Sequence, residues 1–231
     1  TGGIGPSAPH HSLLDAQLKS IEHRGPDDTG TYVNNGIGIG MCRLAIVEIA
    51  AGRQPATDAS ELIHIVWNGE IYNYKELIKE HQLQPSSESD TEVLLLMYQK
   101  YGADCLTYLN GMFAFVIYNS HTKEIFAARD RLGIKPLYFR EEASRGISFS
   151  SEIAALLQLR DSAPDPFGRR QYLKLRMTVG GHTLYKDIRF VPPGHYYANG
   201  QFVRYWKLDD TEKEPPTDEE LRALIEDAVN L

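Results

Sequence analysis

Helix-like and strand-like segments occur in groups along this chain, and that order restricts the architectures it can adopt. Helical periodicity marks the segments SLLDAQLKSIE (12–22), YKELIKEH (74–81) and TEVLLLMYQKYG (91–102). The strand-like segments FAFVIY (113–118) and EIFAARD (124–130) then follow each other directly, and short strand patterns recur after residue 181. A doubly wound parallel sheet needs strict alternation of strands and helices. The order therefore predicts an α+β domain with mainly antiparallel sheets.

Charge and cysteine content exclude several classes of function. The chain has 24 Lys and Arg against 31 Asp and Glu, a formal charge of −7, which argues against a surface for nucleic acid or anionic membranes. No apolar run approaches the ~20 residues that span a bilayer. The two cysteines form no paired motif, and no histidine pattern indicates a metal site. We therefore expect a cytoplasmic protein without a metal in this domain.

The composition changes near residue 208. The segment DDTEKEPPTDEE (209–220) is charged and contains two prolines, as is typical of a linker. After it, Leu221, Leu224, Ile225 and Val229 fall on one face of a predicted helix. We predict a domain over 1–208, followed at 209–231 by a linker and the first helix that leads into a further domain.

Seven short motifs together resemble one known family. In chain order they are HRGPDDTG, RLAIVE, NGEIYN, SDTEV, LNGMFAFVIY, RDRLGIKPLYF and SSEIAAL. This succession is similar to the N-terminal glutaminase domain of asparagine synthetases, a class II (type 2) glutamine amidotransferase, over about residues 12–208. The resemblance implies an N-terminal-nucleophile (Ntn) hydrolase-like sandwich, with mainly antiparallel sheets between helical layers.

The resemblance also implies an activity and its partners. The parent enzyme would hydrolyse L-glutamine to glutamate and ammonia, and a synthetase domain would use ATP and Mg to amidate aspartate. The glutaminase domain itself would need no cofactor, and a homodimer is a family expectation. In this family an N-terminal cysteine attacks the glutamine side-chain amide, and its own α-amine acts as the base. The zwitterionic end of glutamine requires a cation for its carboxylate and an anion for its ammonium.

The motif RLAIVE supplies the residues implied to hold the glutamine carboxylate. Arg43 matches the family's clamp, because a planar guanidinium can bind a carboxylate through two hydrogen bonds. The residues implied to form the same wall are Leu44, Ala45, Ile46 and Val47, although a plain strand explains these four equally well.

The motifs NGEIYN and SDTEV supply the other implied contacts. The Asn68 side chain and the Gly69 backbone N–H match the oxyanion hole, and Glu70 and Asp90 match the partners of the substrate ammonium. Each position also has an ordinary structural explanation. Asn-Gly is a common turn dipeptide, Glu70 could be a solvated surface residue, and an acid such as Asp90 stabilises the first turn of any helix.

Other motif residues are expected to be structural. His23, Arg24 and Asp27 would order a loop beside the site, whereas Arg129, Asp130 and Lys135 would build the domain and its contact with the synthetase half. Cys42 directly precedes the implied clamp and could be considered as a replacement nucleophile. A strand cysteine beside Met41 is more typical of a small buried apolar residue.

The opening stretch TGGIGPSAP contains no cysteine, which leaves three hypotheses. If GGIG is aligned with the family's Cys-Gly-Ile opening, Gly2 takes the cysteine position and the domain is a non-catalytic scaffold, as in β-lactam-synthetase-like enzymes. Alternatively, Thr1 could act as the nucleophile through its own amine. Thr1 stands only 22 residues before His23, a shorter distance than the family has, and the Gly- and Pro-rich stretch resembles a loop. We therefore favour the third hypothesis, a chain that lacks its first strand and the nucleophilic cysteine.

Overall fold

Two six-stranded sheets organise the chain. A computed structural model describes residues 2–4, 11–34, 36–43, 54–87, 89–143, 146–211 and 215–230. The strands are β1 Gly2–Ile4, β2 Asp28–Asn34, β3 Ile37–Arg43, β4 Ala56–Thr57, β5 Ile63–Ile71, β6 Gly111–Asn119, β7 Ile125–Arg129, β8 Tyr138–Glu142, β9 Gly146–Ser150, β10 Ile188–Phe190, β11 His195–Ala198 and β12 Gln201–Arg204. The helices are α1 His11–Lys19, α2 Tyr74–Glu80, α3 Asp90–Tyr101, α4 Cys105–Tyr108, α5 Ile153–Leu157, α6 Pro166–Leu175 and α7 Asp218–Asn230.

The strand pairings within both sheets are antiparallel. The first sheet has the order β10-β8-β9-β1-β3-β2, and the second has the order β12-β11-β7-β6-β5-β4. The second sheet is built around the nine-residue pairing of β5 with β6, from Ile63 opposite Asn119 to Ile71 opposite Gly111. The predicted α+β sandwich with mainly antiparallel sheets is confirmed.

Apolar side chains pack in three layers, one between the two sheets and one on the outer face of each sheet. Between the sheets, Ile39 of β3 and Phe149 of β9 pack with Val66 of β5. On the outer face of the second sheet, α2, α3 and α4 pack against the alternate residues of β5 and β6. On the outer face of the first sheet, α1 contributes Leu14 and Leu18. Along the described ranges, no helix is both long enough and apolar enough to cross a membrane.

The opening stretch forms a strand, which corrects our interpretation of it as a loop. Residues Gly2–Ile4 are β1, which lies in the first sheet between β3 and β9. Gly2 pairs with Ile39 on one side and with Phe149 on the other. The short distance from Thr1 to His23 predicts no strand ahead of α1, but three residues suffice because they pair with strands on both sides. Residues 5–10 lie outside the described part.

Two local patterns differ from the sequence-based expectations. The segment HTLYKDI (182–188) is not a strand before Ile188, because the Thr183 hydroxyl donates to the carbonyls of Tyr185 and Ile188 and folds the segment on itself. Asn73 stands where asparagine commonly caps a helix, but its side chain does not cap α2 and instead bridges the Tyr108 carbonyl and the Asn110 N–H. A local hydroxyl contact in the first place and a contact between distant segments in the second replace the expected pattern.

Arg140 is a fully buried cation that ties β8 to the segment after α5. Its guanidinium donates to the carbonyl oxygens of Leu156, Arg160 and Asp161 at 2.7–3.0 Å and to Asp187 Oδ2 at 2.6 Å. The charge is therefore compensated by two carboxylates, those of Asp187 and of Glu142, whose Oε1 lies 3.8 Å from the Arg140 Nε, and by carbonyl dipoles.

We predict that Arg140→Met destabilises the fold by about 3 kcal/mol, because it leaves buried carbonyl groups without their donor and the Glu142 and Asp187 carboxylates without the buried cation they share. Urea unfolding measures the change. Arg204→Met is the control, because Arg204 is exposed on β12, and it should change the free energy of unfolding little. A loss as small as that of the control would contradict the structural role of Arg140.

Candidate functional site

The candidate site lies at a cavity between the two sheets. It is lined by residues from β3, β5, β6 and β9, with Met41 and Asn68 among them. Alternate residues of a strand share a face. Since Met41 of β3 and Asn68 of β5 face the space between the sheets, the next residues on those faces are Arg43 and Glu70. The two strands therefore bring three of the predicted contact residues to one end of the sandwich.

The loop HRGPD (23–27) packs against the end of β3 that carries Arg43. The Asp27 N–H donates to the Arg43 carbonyl at 3.1 Å, and Pro26 forms a bridge with the same residue. A Cβ atom at Gly25 would come within 2.3 Å of the Arg43 carbonyl carbon, so only glycine allows the loop this close. The backbone of the half-buried Arg43 is thus held on both sides, by β2 and by this loop.

The same loop is anchored to the start of α5. His23 Nε2 and Arg24 Nη1 both lie 3.1 Å from Glu152 Oε1. Glu152 directly follows Ser150 and Ser151, which line the cavity. These contacts agree with the expectation that His23 and Arg24 order the surroundings of the site.

Gly69 has a structural reason to be glycine that is independent of any substrate. In the β5–β6 pairing Gly69 lies opposite Phe113, and a Cβ atom would stand 2.3 Å from the Met112 carbonyl oxygen and 2.8 Å from the Phe113 Cα. Asn68 is half-buried beside it, at the cavity. The oxyanion-hole roles of Asn68 and Gly69 therefore stay predictions, and only Asn68 has a side chain directed by its position toward the cavity.

Asp90 is fixed where the end of β5 meets the first turn of α3. Its Oδ2 accepts the Ile71 N–H at 3.3 Å, and the neighbouring Thr91 Oγ1 accepts the Trp67 indole N–H at 2.9 Å. Ser89 caps the helix by accepting the Thr91 N–H. Burial raises the pKa of the Asp90 carboxyl above its ordinary value, and the negative charge of Glu70 raises it further. A ligand ammonium between these two acids would oppose both effects.

The remaining predicted contacts fall outside the described residues. Leu44, Ala45, Ile46 and Val47 belong to the range 44–53, which the structure does not describe, and Thr1 is likewise outside it. Their predicted roles stay predictions.

Neither cysteine lines the cavity. The Cys42 thiol is buried on the α1 side of the first sheet and donates to the Leu18 carbonyl at 3.4 Å, and burial raises its pKa. Burial also raises the pKa of Cys105 to about 12. Both thiols therefore stay protonated near neutral pH, as small buried apolar residues do.

The motif SSEIAAL contains two serines to which the sequence assigns no role. Ser150 is almost fully buried, and its hydroxyl accepts the Glu152 N–H at 3.1 Å, which orders the turn into α5. Ser151 is half-buried and lines the cavity together with Asn68. The signal in the sequence is that the pair stands where the strand pattern of β9 ends.

We predict that Asp90→Asn raises the melting temperature at pH 7 but not at pH 3. A carboxyl whose pKa is raised by folding loses stability as the pH rises from its unfolded to its folded pKa, and asparagine removes that loss. Thermal unfolding at the two pH values measures it.

Asp165→Asn is a matched control with the opposite sign. For Asp165, burial acts to raise the pKa, but hydrogen bonds from the Phe167 N–H and His182 together lower it. This variant should lose stability at pH 7 relative to pH 3. Equal behaviour of the two variants would contradict the assigned environment of Asp90.

Comparison with protein families identifies relatives over most of the chain. A family model described as a glutamine amidotransferase domain matches residues 1–206. Asparagine synthetase [glutamine-hydrolyzing] 3 of Bacillus subtilis is 35% identical over 94% of this chain and 38% of that protein. Putative asparagine synthetase [glutamine-hydrolyzing] 2 of Methanocaldococcus jannaschii is 41% identical over 64% of this chain and 32% of that protein. The chain thus spans little more than a third of the curated relatives it matches.

Solved structures share the fold at lower identity. Glutamine phosphoribosylpyrophosphate amidotransferase from B. subtilis, complexed with ADP and GMP, superposes with a TM-score of 0.64 and 20% identity, covering 89% of this chain and 49% of that one. The likeness supports the Ntn-type sandwich.

Proposed function

The chain belongs to the glutamine amidotransferase domain family, and from this we propose that its inter-sheet cavity binds L-glutamine as the glutaminase domain of an asparagine synthetase. The observation that carries the proposal is a convergence. Three elements meet at one end of the sandwich, namely the end of β3 with Arg43, the end of β5 with Asn68 and Glu70, and the start of α3 with Asp90.

Each group of this site complements one part of glutamine. The Arg43 guanidinium would bind the α-carboxylate, and the Glu70 and Asp90 carboxylates would bind the α-ammonium. The side-chain amide would then extend along the cavity toward Asn68, whose N–H₂ can donate to the oxygen that becomes negative during hydrolysis. The Gly69 backbone N–H is the second proposed donor.

Hydrolysis would further require a thiolate at the amide carbon and a base for its proton. In the family-like reaction an N-terminal cysteine supplies both, through its thiol and its α-amine, whose ordinary pKa of ~8 suits a base near neutral pH. No cysteine stands among the described residues that line the cavity. We therefore propose that this chain binds glutamine without hydrolysing it.

The proposed parent enzyme would use the ammonia elsewhere. A synthetase domain, holding ATP and Mg, would amidate aspartate with ammonia released at this domain. The names of the relatives and their greater length support this proposal. Glutamine and that synthetase domain are thus the proposed partners.

The loop after β7 is the proposed contact with the synthetase domain. Arg129 donates to the carbonyls of Gly133, Lys135 and Val191, and the buried Asp130 accepts the N–H groups of four residues around it, Phe113, Leu132, Ile134 and Lys135. This rigid loop presents Leu132 and Ile134 to solvent with exposures of 69% and 56%. Exposed apolar side chains on a rigid support are typical of an interface.

A second candidate is a non-catalytic scaffold domain of a β-lactam-synthetase-like, amide-forming enzyme. The absence of a thiol among the described cavity residues favours it. A scaffold has no need of glutamine, so glutamine binding separates the two candidates.

We predict that calorimetry detects L-glutamine binding to the chain, and that Arg43→Ala weakens it by about 100-fold, the effect of losing charged hydrogen bonds worth up to ~3 kcal/mol. Arg204→Ala, an exposed arginine on β12, is the control and should leave the affinity unchanged. Absence of binding to the unchanged chain would favour the scaffold.

We also predict a measurable role for Asn68 in a chain given a nucleophile. A variant that lacks Thr1 and carries Gly2→Cys places an N-terminal cysteine on β1, opposite Phe149 of the cavity wall. It should release ammonia from glutamine, and adding Asn68→Ala should lower turnover by about 10²–10³, the effect of losing an oxyanion donor. Unchanged turnover after Asn68→Ala would refute its assignment.

A further inference from the structure

Strand β4 covers only part of the edge of β5. The pairing of these two strands ends at Ile65, whereas β5 itself continues to Ile71. Along 66–71, no strand among the described residues pairs with β5 on this side. An uncovered edge presents unpaired backbone N–H and C=O groups. This part of the edge includes Gly69, whose backbone N–H is one of the two proposed oxyanion donors.

The backbone N–H of Gly69 points to this uncovered edge. Gly69 lies opposite Phe113 of β6. The Phe113 N–H donates to Asp130 Oδ2 at 3.3 Å and its carbonyl accepts the Asp130 N–H at 2.8 Å, so both backbone groups face away from β5. Directly opposite residues of an antiparallel pair exchange both hydrogen bonds or neither. Gly69 and Phe113 therefore exchange none, and among the described residues no acceptor stands at the Gly69 N–H.

Two side chains accept the N–H groups on either side of Gly69. Gln54 Oε1 accepts the Trp67 N–H at 2.7 Å, and Asp90 Oδ2 accepts the Ile71 N–H at 3.3 Å. Every second residue of a strand directs its backbone groups to the same edge, so these two are the nearest neighbours of Gly69 along it. The two side chains thus occupy both neighbouring positions and leave the Gly69 N–H open between them.

Gln54 connects the two sheets at this point. Its backbone lies against β2 of the first sheet, since a Cβ atom at Gly30 would stand 1.8 Å from the Gln54 carbonyl oxygen. Its side chain holds the backbone of Trp67 in the second sheet. Trp67 is almost fully buried and is held a second time, because its indole N–H donates to Thr91 Oγ1 at 2.9 Å. Gln54 therefore helps to fix the residue that directly precedes Asn68.

A side-chain acceptor at Trp67 has a consequence that a backbone acceptor would not have. A buried N–H requires an acceptor, and a longer β4 would also supply one. A strand that continued along this edge would, however, offer a carbonyl to Trp67 and then another to Gly69, two residues further on. The Gln54 side chain satisfies Trp67 alone. It therefore meets the demand of the fold and keeps the Gly69 N–H available to a ligand.

We propose that Gln54 is a positioning residue of the glutamine site. It fixes the end of β5 so that the Asn68 side chain and the Gly69 N–H donate together to the side-chain oxygen of the ligand. Gln54 acts through the backbone of β5 and not by contact with the ligand. Asp90 fixes the same stretch from its other end, at Ile71. This inference rests on the proposed binding of glutamine and adds a residue that governs recognition of its amide.

Calorimetry of the 231-residue chain with two ligands tests this role. L-Norvaline has the α-carboxylate and α-ammonium of glutamine but no side-chain amide, so its affinity is independent of the oxyanion donors. Gln54→Met keeps the length of the side chain and removes the acceptor. It should lower the affinity for L-glutamine by about 10-fold, the effect of one hydrogen bond, and leave the affinity for L-norvaline within about 2-fold. Gln54→Glu retains an acceptor oxygen and should preserve the ratio of the two affinities.

The possible results separate this inference from the proposed function. An unchanged ratio of the two affinities in Gln54→Met, or an equal loss for both ligands, would overturn the positioning role while glutamine binding stands. Absence of glutamine binding to the unchanged chain would instead reject the proposed function, and the role of Gln54 in it would fall as well. Retained binding of L-norvaline shows that the variant is folded.

Hydrogen exchange without any ligand provides the second test. The Trp67 amide should exchange at least ~10-fold faster in Gln54→Met than in the unchanged chain, because it loses its acceptor. In Gln54→Glu the exchange should stay slow. The Ile71 amide is the internal control, since Asp90 holds it, and its rate should be the same in all three chains. Equal Trp67 rates in the three chains would refute the part of Gln54 in fixing β5, whatever the outcome of the glutamine experiments.

Discussion

The face-to-face packing of the two sheets is the constraint on which the site depends. Alternation along β3 and β5 directs Ile39 and Val66 into the layer between the sheets. Continuing the same alternation brings Arg43 and Glu70 to the end of that layer. A register shift of one residue in either strand would reverse every side chain, so core and site could only be lost together. The position of the charged groups is therefore fixed by the same burial that stabilises the fold.

The charged form of the Asp90 carboxylate is disfavoured at that end of the sandwich, as its raised pKa indicates. Asp90 is held by the Ile71 N–H in a partly buried place beside Glu70, and burial followed by this like charge raises its pKa. The fold tolerates the arrangement because Ser89 and Thr91 anchor the same helical turn. A bound ammonium would favour the charged form of Asp90, which is why the proposed site places the ammonium between these two acids.

Local patterns in the sequence predicted the elements better than they predicted the site. Helix α3 occurs where helical periodicity predicted it and ends at the glycine, Gly102, that closes the predicted segment. Strand β1 had no such signal, because three residues with two glycines are a strand only through their neighbours β3 and β9. Arg43, Glu70 and Asp90 stand on three different elements of the sandwich. Local periodicity in the sequence cannot predict that these elements lie near one another. Only the resemblance to a family could predict this grouping of residues. Gly69 shows that a residue of a family motif can also be required for a purely steric reason.

The proposed binding residues and the proposed nucleophile position stand on different elements. Arg43, Glu70 and Asp90 stand on β3, β5 and α3, whose positions are set by β2, β6 and the helical layer. A reacting group at the amide of glutamine would come from β1, which contributes none of these three residues. Since β1 lies between β3 and β9 and contributes none of these three residues, a change of residue there would leave Arg43, Glu70 and Asp90 in place. The proposed binding of glutamine thus depends on other elements than the proposed nucleophile position does.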